Sequence, residues 1–95
     1  MTVIGLVTID LEIPASVSLK DKRRVIKSVI TRVRNTFNVS IAEVGHQDHW
    51  QLATLAVVCV STDTGYAHGL LEKVVRHVER MHLGLVLLDY ETELI

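Results

Sequence analysis

The chain has 95 residues, 48% of them hydrophobic and 22% charged, and a net charge of −1, which describes one globular domain over residues 1–95 rather than a disordered or generally basic nucleic-acid-binding chain. A single cysteine, Cys59, excludes an internal disulfide framework and fits a reducing compartment. The N-terminal MTVIGLVTIDLEI lacks a basic leader and carries Asp10 and Glu12, and no apolar run is long enough to span a bilayer, so the expectation is a cytoplasmic protein with no membrane association.

In chain order, Val3, Gly5, Val7, Ile9, Leu11 and Ile13 alternate with Ile4, Leu6, Thr8, Asp10 and Glu12, which is the period-two signature of a strand. Pro14-Ala-Ser-Val ends it and leads to Ser18. That residue is placed to cap a helix, with Asp21 three positions on able to reach back to the Ser18 N–H. Leu19, Val25, Ile26, Val29, Ile30, Val33 and Phe37 recur at spacings of three, four and seven, so a helix over Leu19–Phe37, roughly 28 Å long, has one apolar face.

The charge of this helix is lopsided. Lys20, Lys22, Arg23, Arg24, Lys27, Arg32 and Arg34 face one acid, Asp21: a net +6, against −7 for the rest of the chain. Lys20, Arg23, Arg24, Lys27 and Arg34 fall within roughly 100° of helical arc beside the apolar stripe, with Arg32 on the opposite flank. Lys22 falls near the middle of the stripe and is expected to overhang the sheet end and snorkel to water. Cations crowded into the first turns oppose the helix dipole, so folding alone does not favour them. The bland reading is a solvated face partly paired with Asp10 and Glu12. The sharper one is a site for an anionic partner, phosphate above all, held by Lys20, Lys22, Arg23, Arg24, Lys27 and Arg34.

Asn38–Gly45 reads as a second strand, followed by the loop Gly45-His-Gln-Asp-His. Trp50–Ser61 is almost continuously apolar and reads as a central strand. Asp63 or Thr64 caps a second helix with core positions Ala67, Leu70, Leu71, Val74, Val78 and Met81. Leu83–Tyr90 is the last strand and Glu91–Ile95 a tail. The order β-α-β-β-α-β with right-handed crossovers is the α+β, ferredoxin-like arrangement: a four-stranded antiparallel sheet, strands one and three central, both helices on one face. The other face would carry Ile4 and Leu6 beside third and fourth strands apolar on both sides, so a homo-oligomer, first of all a dimer, is expected to cover it.

The remaining chemistry-bearing residues carry little signal. His46 and His49 flank Asp48 without a second ligand cluster, so a solvated turn is the plainer reading than a metal site. His68, His77 and His82 read as helix-surface residues, Cys59 as a small buried apolar side chain and Trp50 as a packing anchor rather than a stacking platform. No phosphate-binding Gly loop, nucleophile elbow or carboxylate pair is present, and no cofactor is implied. The loop after the first strand has neither the Arg of acylphosphatases nor the Cys pair of metal carriers. The aromatics Phe37, Trp50, Tyr66 and Tyr90 do not form the base-stacking set of an RNA-recognition motif.

The segments Ser18-Leu-Lys-Asp-Lys-Arg-Arg and Arg34-Asn-Thr-Phe-Asn-Val-Ser-Ile-Ala-Glu-Val-Gly, with Trp50-Gln after them, resemble the YlxP-like family of small bacterial proteins, a domain of unknown function. The resemblance covers nearly the whole chain and implies a ferredoxin-like fold and no established activity. In many bacteria the family's gene lies near those for transcription elongation, translation initiation and a ribosome-binding factor. The expectation is therefore a non-enzymatic binding protein contacting RNA or a ribosomal particle through the first helix. The alternative is a protein-interaction or small-ligand regulatory module acting through an oligomeric apolar sheet face.

Overall fold

A computed structural model describes residues 1–95. The elements are β1 (Val3–Glu12), α1 (Leu19–Thr36), β2 (Ser40–Gly45), β3 (Leu52–Ser61), α2 (Thr64–Glu79) and β4 (Val86–Leu94). They form one antiparallel sheet in the order β2-β3-β1-β4 with β1 and β3 in the centre, the ferredoxin-like α+β arrangement expected from the element order.

Period-two patterning sets which way β1 faces. Val3, Val7, Ile9 and Leu11 are buried, and they join α1 residues Ile26, Val29 and Val33 and α2 residues Ala67, Leu71, Val74 and Val78 in one core. Gly5 lies in the same row. A Cβ there would come within 2.9 Å of Leu71 Cδ1 and 3.2 Å of Cys59 Sγ, so α2 packs onto β1 at the distance a glycine allows. Cys59 is buried in this core, and its thiol points at Ala67 O at 3.9 Å.

Both helices start at side-chain caps. Ser18 Oγ accepts the Asp21 N–H at 3.1 Å, and Asp63 Oδ2 accepts the Tyr66 N–H at 3.1 Å. The expected reciprocal bond differs by one residue: Asp21 Oδ2 accepts from the N–H of Val17, not of Ser18.

The fourth strand requires a larger correction. It runs Val86–Leu94, so the polar segment read as a tail is half of an edge strand, continued by paired hydrogen bonds between Ile4 and Ile95 (3.1 and 2.7 Å). Glu93, Glu91 and Asp89 stand opposite Leu6, Thr8 and Asp10 of β1. Directly opposed residues share a sheet face, so from Asp89 to Glu93 the uncovered face of β4 is acidic rather than apolar. The main apolar part of that face is at one end, Ile4 and Leu6 of β1, Ala56, Val58 and Val60 of β3 and Ile95 opposite Ile4, with Val86 and Leu52 beside Glu12 at the other end.

Candidate nucleic-acid interface

Of the seven α1 cations, the five on the basic arc, Lys20, Arg23, Arg24, Lys27 and Arg34, are all exposed, as is Arg32 on the opposite flank. None pairs with a carboxylate; the only ion pair that α1 makes is Lys22–Glu43. The reading that paired this helix with Asp10 and Glu12 fails on geometry. Those residues alternate onto the face opposite the helices, where Asp10 Oδ1 accepts from Thr54 Oγ1 at 2.8 Å. Arg23, Lys27 and Arg34 line a groove of about 510 Å³ between α1 and the edge strand β2, floored by Ile26, Ile30 and Ile41. Arg34 Nη2 donates to Ile41 O at 3.1 Å, which fixes the guanidinium over the strand and leaves most of its five donors free. Arg24 lies further round, beside the loop after β1, and lines a separate hollow with Val25 and Leu83.

Lys22 does not belong to this surface. It is fully buried, and its ammonium donates to the carbonyls of His46 (2.7 Å), Leu52 (3.1 Å) and Gln47 (3.3 Å). Those three bonds use its three protons. Glu43 Oε2, 3.0 Å away, is therefore held by charge without a hydrogen bond of its own. The sequence placed Lys22 in the apolar stripe correctly. The expectation that it snorkels to water and meets phosphate is overturned, because the β2–β3 loop folds over the helix start and supplies the acceptors.

That loop is tightly tied. His46 has a φ of 57°, in the left-handed region that non-glycine residues seldom adopt. His49 Nδ1 accepts the N–H groups of Gln51 and Leu52, both at 3.1 Å, which puts the neutral ring's proton on Nε2. Gln51 Nε2 bridges to Pro14 O (3.0 Å) and Ser16 O (3.2 Å). The imidazoles of His46 and His49 meet edge to face at 6.2 Å, so both histidines shape a turn. Trp50 is 56% exposed and is no packing anchor. The sequence did carry a signal for this: counted back in twos from Leu52 and Thr54, position 50 falls on the uncovered side of the sheet.

The candidate oligomer residues lie together. Ile4 is 37% exposed and pairs with Val60, which is 70% exposed; Leu6 pairs with Val58 on the same face. No three His, Cys, Asp or Glu side chains converge as metal ligands, and no helix is long and apolar enough to cross a membrane.

The family described as "Protein of unknown function (DUF503)" matches residues 4–92. The chain belongs to this family. It is 42% identical over 62 residues to "Uncharacterized protein YlxP" of Bacillus subtilis (strain 168), covering 65% of this chain and 67% of that protein. Among solved structures it is similar to the de novo designed protein Foldit4, with a TM-score of 0.53, 14% identity, and coverage of 100% of this chain and 97% of that one. It is also similar to a C-terminal segment of the alpha subunit of aIF2 from Pyrococcus abyssi, with a TM-score of 0.56, 14% identity, and coverage of 99% of this chain and 49% of that one. At 14% identity these two likenesses concern the fold alone.

Proposed function

We propose that the chain is a non-enzymatic, cytoplasmic binding protein that meets RNA or a ribosomal particle through the exposed face of α1. The observation that carries this reading is the set of five exposed cations, Lys20, Arg23, Arg24, Lys27 and Arg34, none of which has a carboxylate partner, in a chain where Asp10, Glu12, Asp89, Glu91 and Glu93 lie on the opposite sheet face. Unpaired like charges on the first turns of a helix work against the helix dipole, and an anionic ligand relieves them. Phosphates spaced along a nucleic-acid backbone match a row of long basic side chains, and such contacts read shape and charge rather than sequence.

The test is binding of a structured ribosomal RNA, and of small ribosomal subunits, at about 50 and 200 mM salt. With Lys22 removed from the set, five phosphate contacts predict an affinity loss on the order of 10²-fold across that range. Arg23→Ala/Arg24→Ala/Lys27→Ala should bind weakly with a shallower salt slope. Failure of both targets to bind at the lower salt ends this reading.

A second reading is favoured by the exposed Ile4 and Val60 and the half-buried Leu6 and Val58 beside them. In it the apolar end of the uncovered sheet face joins two copies, and the molecule acts as a protein-interaction or small-ligand regulatory module. Such an interface is insensitive to the α1 substitutions and is read by oligomeric state.

A further inference from the structure

We propose that Trp50 is a stacking platform for an unpaired nucleobase of the RNA whose backbone α1 holds. The inference rests on the RNA reading and names the kind of RNA: one with a loop, bulge or single-stranded end from which a base can be splayed out.

Three observations carry it. First, the indole is 56% exposed, so the fold gains little from the largest apolar side chain it has. Second, the loop beneath the ring is built rigid, at a cost. His46 sits at positive φ, the buried Lys22 ammonium holds the carbonyls of His46 and Gln47, and His49 and Gln51 tie the turn to itself and to the loop after β1. A backbone already fixed beneath the ring loses little entropy when a partner stacks there. Third, the surroundings suit a base rather than a phosphate. Asp48, His49, Trp50 and Gln51 form an open cavity of about 420 Å³. The Asp48 carboxylate repels phosphate but accepts from the exocyclic amino group of a base, and the exposed His49 keeps its Nε2–H as a donor because Nδ1 accepts within the turn.

The placement fits one strand of RNA. Lys22 pins this loop to the first turns of α1, the same turns that expose Lys20, Arg23 and Arg24. A backbone that runs along those cations and turns round this end of the sheet brings an extruded base to the indole, and base–aromatic stacking tolerates any base.

Trp50 is the only tryptophan, so its emission reports this site alone. Two unlabelled RNAs of equal length, a hairpin with a single-stranded loop and a fully paired duplex, are titrated at low salt while binding is followed independently by anisotropy of labelled copies. The hairpin should quench Trp50 emission and the duplex should bind without quenching. Trp50→Ala should lose roughly 5- to 150-fold in hairpin affinity with duplex affinity unchanged, and Trp50→Phe should recover most of the loss. Unchanged thermal melting of both variants certifies the fold. A hairpin that binds without quenching, with affinity indifferent to Trp50→Ala, overturns the stacking site and leaves the basic helix standing. If neither RNA binds, the stacking site falls together with the reading it rests on.

Discussion

At the residue scale the decisive correction is Lys22. A charge taken out of water is tolerated only when paired and hydrogen-bonded, and here one ammonium serves three carbonyls and one carboxylate across 21 to 30 residues of sequence. Its direction was legible, since helical spacing points it at the core; its partners were not, because nothing local in the sequence announces a loop closing over a helix start. Lys22→Met should therefore cost about 3 kcal/mol or more, read as a lowered urea midpoint, because it strands Glu43 without its counter-charge. The salt slope of RNA binding should stay as it was. A variant that melts like wild type but binds RNA with a shallower slope would return Lys22 to the phosphate surface.

Tyr90 offers a second test at this scale. Its hydroxyl donates to Glu72 Oε2 at 3.1 Å, and that bond, together with repulsion between the Glu72 carboxylate and a phenolate, raises the Tyr90 pKa above its ordinary 10.0. A raised value means that the contact's contribution is whole below pH 10 and is lost as pH climbs through the folded value. In a Tyr66→Phe background, Glu72→Gln should move the tyrosinate absorbance titration to lower pH. A curve that stays put would show that the two side chains do not meet in solution.

At the element scale, what patterning dictates came through and what an edge permits did not. The alternation of β1, the near-continuous apolar run of β3 and the three-and-four spacing of both helices each follow from burial on a fixed period, so sheet order and helix placement were readable. The far half of β4 was not. Glu91 and Glu93 read as tail because an edge strand with one face in water needs no apolar residue at those positions. Trp50 is the complementary case: a large aromatic ordinarily anchors a core, and only the period-two count from Leu52 and Thr54, not the residue type, tells that this one does not. The Gly5 crossing gives the element-scale prediction. A methyl at Gly5 must displace Leu71 and Cys59, both buried and hemmed in, so Gly5→Ala should cost roughly 1–3 kcal/mol in chemical denaturation. Gly69, with open space around its Cα, should accept alanine and gain helix propensity instead. If the two substitutions had the same sign, the close packing of α2 on β1 would be wrong.

At the scale of the whole molecule, the two faces carry opposite charge. Asp10, Glu12, Asp89, Glu91 and Glu93 lie on the uncovered side of the sheet, while the unpaired cations of α1 lie on the side of the helices. An RNA bound at α1 is therefore met by the acidic sheet turned away, which fixes which side of the molecule can face a particle. The same polarity separates the two binding modes by salt. Phosphate contacts weaken as salt rises, whereas two copies joined through Ile4, Leu6, Val58 and Val60 bring their acidic β4 rows toward one another, and screening those rows favours association. Sedimentation of micromolar protein should thus show a dimer fraction that grows between about 50 and 500 mM salt, and Val60→Asp should abolish it without altering the melt, since Val60 is 70% exposed in the single chain. A chain that stays monomeric at both salts ends the sheet-face dimer. A dimer that dissociates as salt rises would mean that copies meet basic helix against acidic sheet, a head-to-tail contact that competes with RNA for α1 and makes self-association and RNA binding mutually exclusive.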